Sequence, residues 1–323
     1  MKKKLLILGG TMFTGRMLVE KLLANNQHEV TLFNRGKSNT GIFPSVKQIN
    51  GNRETDDVLQ VANQHWDCVI DFSGYYPLTF EKLLASLNGK VGRYIFISTL
   101  SVFDIGKFNG QKIAEEDETL LCSDEQKVSK LPDAYGEKKA EMERLLASQK
   151  NMEVIILRPS FIYGQYDWTD RFYYWLYRAK FCDKVLLPPN DFPLSLTYVA
   201  DLANGILNAI DAPYQGQLYN TISSNGVTLH QVVETAAGLL NRQIELVSST
   251  DAILEKHEAG YSDFPLYVPM PLQIDGSKWL HHFSTIPVTF TDTVKQTLLY
   301  CNTVNWALPK AGMSIEKERL IIG

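Results

Sequence analysis

Apolar residues dominate Lys4–Leu8, Tyr94–Ser98 and Val154–Leu157, and strand-like runs with more polar positions lie at Glu29–Phe33, Val46–Asn50 and Cys68–Asp71. Each is short and bounded by turn-forming residues, and the most apolar of them have the pattern of strands buried on both faces. Between them the apolar positions take a helical period, over Gly15–Ala24, Asp56–Gln64, Pro77–Leu87 and Ala134–Ser148. Strand and helix alternate throughout this half. That alternation predicts an α/β fold, a parallel sheet with helices on both faces, and right-handed crossovers make it doubly wound.

The rhythm breaks at Ile105–Leu131, a polar stretch in which Glu115-Glu116-Asp117-Glu118 reads as a solvated loop. After Gly164 the pattern loosens. Tyr166–Phe181 is dense in aromatic residues, which either line a cleft or, for most of them, pack as one face of a helix. Arg171 is the one cation early in that stretch. It either holds an anionic substrate or sits in a surface ion pair. A last helical stretch lies near Thr291–Cys301, and Asp201 reads as a cap for a helix beginning near Leu202. The expected organisation is a nucleotide-binding domain at 1–157 and a smaller mixed substrate-binding region at 158–323 that partly returns to the first.

The first strand runs directly into Gly9-Gly10-Thr11-Met12-Phe13-Thr14-Gly15, and a helix follows. A strand, a glycine turn, a helix and a second strand form the first half of a Rossmann-type dinucleotide fold. Gly9 permits a tight turn, Gly10 is expected to open the backbone to a pyrophosphate, and Gly15 lets the helix approach closely. The helix N-terminus then offers free N–H groups to the phosphates.

Charge and cysteine usage narrow the classes. Lys and Arg number 32 against 36 Asp and Glu, a net charge of −4 that argues against a broad nucleic-acid surface. The apolar run after Lys2-Lys3-Lys4 ends at Gly9, too soon for a signal peptide or a membrane span. Cys68, Cys122, Cys182 and Cys301 are scattered, as expected of reduced thiols in a cytoplasmic protein. His281 and His282 are adjacent and cannot face one metal from a helix, so no metal site is expected.

Tyr135 and Lys139 stand four residues apart on a predicted helix and so share a face. A nearby ammonium favours the phenolate, and such a pair can move a hydroxyl proton while a hydride leaves the same carbon. Upstream, Tyr94–Ser98 runs into the hydroxyls of Thr99 and Ser101 at a strand end.

Four segments in one order resemble the extended short-chain dehydrogenase/reductase family, which includes sugar-nucleotide epimerases and dehydratases. They are Gly9–Gly15, Ser98–Phe103, Tyr135–Lys139 and Arg158-Pro159-Ser160-Phe161-Ile162-Tyr163-Gly164, with Leu196–Ala203 as a fifth. The resemblance covers about Lys3 to Lys278. It implies an NAD(P)-dependent oxidoreductase or epimerase acting on a hydroxyl or keto group of a small, sugar-like molecule. By it, Thr99 is the hydroxyl partner, Tyr135 the acid/base and Lys139 its activator. The cofactor would lie along Gly9, Gly10, Thr11, Met12, Phe13 and Gly15. It would continue past Asn34 and Arg35, Asn52 and Arg53, Phe72, Ser73 and Gly74, and Pro159 and Phe161.

The departures are informative. Met12 replaces the usual middle glycine, and Asn34-Arg35-Gly36 ends the second strand, as in an atypical branch that includes the chloroplast stem-loop-binding proteins. Leu100 and Ser101 stand where dehydratases carry Asp and Glu, which disfavours dehydration. Phe161 replaces a usual Asn, and Leu194 lies near a usual Arg, so two diphosphate anchors are absent. No acid ends the second strand to bind a ribose 2′-OH. Arg35 and Lys37 are there instead, favouring NADP over NAD unless Arg35 is a solvated turn residue. A homodimer is usual for such families. The alternative is a non-catalytic nucleotide-sensing or RNA-binding member of the same fold.

Overall fold

A computed structural model describes residues 2–213, 217–283 and 288–323. The first half follows β1 (Lys4–Leu8), α1 (Phe13–Asn25), β2 (Glu29–Asn34), β3 (Lys47–Asn50), a 3-10 helix (Asp56–Asn63), β4 (Trp66–Asp71), α2 (Pro77–Ser86) and β5 (Val91–Ile97). It continues through α3 (Asp124–Val128), α4 (Tyr135–Ala147) and β6 (Glu153–Pro159). The second half holds β7 (Phe161–Tyr163), α5 (Arg171–Phe181), β8 (Lys184–Leu187), β9 (Leu194–Tyr198), α6 (Val199–Asp211) and β10 (Gln217–Thr221). Then come β11 (Ser224–Val227), α7 (Leu229–Leu239), β12 (Glu245–Ser248), α8 (Asp251–Lys256), α9 (Ser277–Phe283), α10 (Phe290–Thr303) and α11 (Ile315–Ile322).

Seven strands form one sheet in the order β10-β6-β5-β4-β1-β2-β3. Every pairing in it is parallel. The chain winds outward from β1 through β2 to β3, then restarts at β4 on the other side. This reversal opens a crevice beyond the carboxyl ends of β1 and β4, the place where such sheets take ligands. The register pairs Leu8 with both Asp71 and Phe33, so three strand ends finish level. Alternation along β1 sorts the core: Leu5 and Ile7 belong to one apolar cluster, Leu6 and Leu8 to the other. Helices α1 and α6 pack together, as do α2 and α4.

Several expectations change in detail. Asp56–Asn63 is a 3-10 helix, not an α-helix. At three residues per turn, Val58 and Val61 fall on one edge, and both are buried. Glu115 is not solvated: it is 6% exposed and its Oε1 accepts the Asn220 N–H from β10 at 2.9 Å. Asp201 lies inside the first turn of α6, whose cap position is Tyr198. The chain beyond residue 157 returns β10 to the edge of the main sheet. Its remaining strands form a three-stranded sheet, β11-β9-β7, and the pair β12-β8. Phe172, Tyr174 and Trp175 are buried on α5, giving the aromatic stretch a packing role there.

Candidate active site and dinucleotide cleft

The glycine turn closes β1 onto α1. Gly9 and Gly10 adopt φ +107° and +93°, and Gly9 N–H donates to the Phe33 carbonyl at 2.9 Å. Packing also demands glycine at position 10. A Cβ there would meet Leu32 Cδ2 at 3.0 Å and Ile7 Cγ2 at 3.2 Å, so this glycine is forced by core packing. Gly15 is forced by the turn itself, since its Cβ would meet Gly10 Cα at 2.8 Å. Met12 replaces glycine without strain because its φ is −133°. The left-handed conformation falls on Phe13 instead, at φ +42°.

The cradle fits a diphosphate. The first amide of α1 bonded back into the helix is Arg16 N–H, to Met12 O at 3.1 Å, which leaves the Phe13–Gly15 amides without a helical acceptor. Thr14 Oγ1 is buried beside them and has no partner among the described residues. The Thr11 carbonyl takes the Asn39 side chain at 2.7 Å, which ties the loop after β2 to this turn.

Asn34 and Asn52 shape turns. Asn34 Oδ1 accepts from Gly36 N–H at 2.8 Å, and Asn52 Oδ1 from Glu54 N–H at 3.1 Å. Arg35 and Lys37 are left exposed, in no ion pair among the described residues. Arg53, expected beside the cofactor, is 7% exposed and spent internally. Its two terminal nitrogens bind Asp71 at 2.6 and 2.7 Å, and one also donates to Ser73 Oγ at 3.1 Å. Asp71 further accepts from Tyr94 O–H at 2.7 Å and Ser73 N–H at 2.9 Å. This buried cluster fixes the turn Phe72-Ser73-Gly74, where a Cβ on Gly74 would strike Phe96 at 2.8 Å.

Tyr135 opens α4, with Ala134 before it at φ +49°. Gly136 is why α4 lies where it does. A Cβ there would stand 1.9 Å from the Ser101 carbonyl oxygen, so the helix start rests directly on the turn after β5. Thr99 lies two residues past the end of β5 and caps that turn, its Oγ1 accepting from Ser101 N–H at 3.1 Å. Tyr135 remains 41% exposed. Lys139, one turn below, is buried and donates to the Ile97 carbonyl at 2.7 Å, with Nζ 4.4 Å from the Phe96 ring centroid. Burial pushes its ammonium down to about 7, opposed by the Asp71 and Glu143 charges. Burial likewise pushes the Tyr135 phenol up to about 12, reinforced by Tyr75 and opposed by a Thr99 hydrogen bond and the Arg171 charge. Burial therefore outweighs the Arg171 charge, which favours the phenolate.

Two groups that sequence reasoning passed over support this site. Tyr75 stands with its ring 6.4 Å from Tyr135 and 5.5 Å from Lys139 Nζ. Glu143, four residues past Lys139, continues the same helix face. It takes Arg158 Nη2 at 2.6 Å and Ser98 Oγ at 2.5 Å in a buried network. The i+4 spacing was the readable signal for Glu143; nothing in the sequence marked Tyr75. Pro159 ends β6, and Phe161 opens β7 half-buried. Among the described residues no cluster of three or more His, Cys, Asp or Glu side chains could hold a metal. None of their helices is long and apolar enough to cross a membrane.

The chain is similar to the chloroplast stem-loop binding protein of 41 kDa b from Arabidopsis thaliana, 26% identical over 258 residues. That alignment covers 73% of this chain but only 63% of the relative, less than two thirds of its length. It is also similar to UDP-glucose 4-epimerase from Vibrio cholerae, 25% identical over 273 residues, 75% of this chain and 77% of that one. Among solved structures, UDP-glucuronic acid 4-epimerase from Bacillus cereus in complex with NAD superposes with a TM-score of 0.71 at 17% identity, covering 93% and 99% of the two chains. UDP-N-acetylglucosamine 4-epimerase from Bacillus cereus gives a TM-score of 0.70 at 16% identity, covering 92% and 96%. These structures share the fold. Residues 5–223, more than half of the chain, match the model of one family, and the protein belongs to the NAD-dependent epimerase/dehydratase family.

Proposed function

We propose that this protein is an NAD(P)-dependent oxidoreductase or epimerase that acts on a hydroxyl or keto carbon of a small, sugar-like molecule. One observation carries the reading: Tyr135 and Lys139 lie on one face of α4, which is seated on the turn after β5 at the same carboxyl end of the sheet as the glycine cradle. The Gly9–Gly15 turn, the free α1 amides and Thr14 Oγ1 would hold the cofactor diphosphate. The bound cofactor supplies a hydride acceptor and donor. Tyr135 takes the proton of the reacting hydroxyl or returns it, and Thr99 orients the oxygen. Lys139, held by the Ile97 carbonyl one turn along the same helix face, would supply the positive charge that favours the phenolate when it is protonated. Elimination of water would need an acid and a base after Thr99, and Leu100 and Ser101 supply neither.

At the cofactor's other end, Arg35 and Lys37 are free to pair with a 2′-phosphate. The reading therefore favours NADP over NAD. Its test is Tyr135→Phe. With cofactor and a panel of nucleotide sugars, wild type should form reduced nicotinamide or interconvert epimers. The variant should lose this by about a hundredfold or more while binding cofactor normally. Full activity in the variant would overturn the mechanism.

A further inference from the structure

As an ammonium, buried Lys139 has three N–H groups to place. One donates to the Ile97 carbonyl at 2.7 Å, and no other oxygen among the described residues accepts from it. Two aromatic faces stand near it instead. The Phe96 ring, in β5, has its centroid 4.4 Å from Nζ, and the Tyr75 ring, in the turn between β4 and α2, has its centroid at 5.5 Å. Both lie within the reach of a cation–π contact, about 6 Å. Each ring is held independently of the lysine. Phe96 is fully buried and packs on Phe80, with 5.1 Å between centroids. Tyr75 follows Gly74, which is pressed so closely on Phe96 that a Cβ would meet its ring at 2.8 Å. The Arg53–Asp71–Ser73 cluster fixes this turn from below. The backbone that carries Tyr75 is therefore docked on the other ring.

The charges around Lys139 do little to keep it protonated. Asp71 from β4 and Glu143 from α4 favour the ammonium, Arg53 opposes it, and burial outweighs them. Both carboxylates are already engaged: Asp71 takes two bonds from Arg53, and Glu143 pairs with Arg158. The other titratable groups at this face are the phenols of Tyr75 and Tyr135, which burial keeps neutral. A ring face, by contrast, is negative without needing a counter-ion of its own. Resting on the activator role given to Lys139, we propose that Tyr75 and Phe96 are its positioning residues: their ring faces stand in for hydrogen-bond acceptors and hold the amine as an ammonium on the Tyr135 face of α4.

The test reads Lys139 itself, in the purified chain without cofactor or substrate. Lysine labelled with 13C at the ε carbon reports its titration by NMR, and loss of one signal in Lys139→Met assigns it. Phe96→Leu and Tyr75→Leu keep apolar cover and remove a ring. Each should lower the titration midpoint by about half a unit to one unit, roughly a three- to tenfold fall in the ratio of ammonium to amine at a fixed pH. Tyr75→Phe keeps the ring and should titrate as wild type. Tyr75 is 48% exposed, so its variants keep the fold even where Phe96→Leu does not. An unmoved midpoint in Tyr75→Leu overturns the assignment. A midpoint that rises there shows a ring that only kept water out, and a shift in Tyr75→Phe as large as in Tyr75→Leu puts the effect on the hydroxyl; either overturns it as well. No turnover is read, so full activity in Tyr135→Phe would sink the mechanism proposed above and leave this result standing.

Discussion

Lys139 is a cation held where water cannot reach it. Its only hydrogen-bond acceptor among the described residues is the Ile97 carbonyl, and burial lowers its pKa to about 7. A lysine whose folded pKa lies below its unfolded value binds fewer protons when folded. The linkage sign follows: stability rises with pH between the folded pKa of about 7 and the unfolded value near 10.4. The penalty is fully present below that window. Lys139→Met should therefore raise the melting temperature near pH 6 and gain much less near pH 10, while lowering activity. Thermal melts at the two pH values check this. A destabilised variant at the acidic pH would show that the ammonium is held better than its contacts indicate.

At the scale of elements, the site depends on how closely α4 sits on the turn after β5. Gly136 allows that approach, and the buried Arg158–Glu143 pair holds the same helix from its far end. Gly136→Ala would drive a methyl group into the Ser101 carbonyl, so α4 must shift. Overpacking of this kind costs about 1–3 kcal/mol, more where backbone is struck. We expect a clearly lower melting temperature, and a larger loss of activity than of cofactor affinity, because the shift moves Tyr135 away from Thr99. Calorimetry with a cofactor titration separates the two effects. An unchanged melting temperature would show that the helix yields at no cost.

Element type and order were readable because buried parallel strands announce themselves as unbroken apolar runs, as at Leu5–Leu8. The Tyr135–Lys139 face was readable from spacing alone. What escaped the sequence depends on contacts between distant segments. Arg53 looked like a ligand residue until Asp71, 18 positions away, was seen to absorb it. Glu115 looked solvated until β10 arrived against it from 105 positions away. Each is a pairing across a crossover, which local pattern does not encode.

Over the whole molecule, the doubly wound sheet brings three things to the carboxyl ends of its strands: the glycine cradle after β1, the loop carrying Arg35 after β2, and the Tyr135–Lys139 face beyond β5. In the function proposed above, that end of the sheet is the dinucleotide site. Its most direct test is calorimetric titration of purified protein with NADP and with NAD, in wild type and in Arg35→Ala. The account predicts saturable binding of one cofactor per chain and tighter binding of NADP. A charge-assisted contact of about 1.5–3 kcal/mol makes that preference roughly ten- to a hundredfold, and Arg35→Ala should erase most of it. Equal affinities in wild type would return Arg35 to a plain turn residue. Binding of neither cofactor would contradict the account itself.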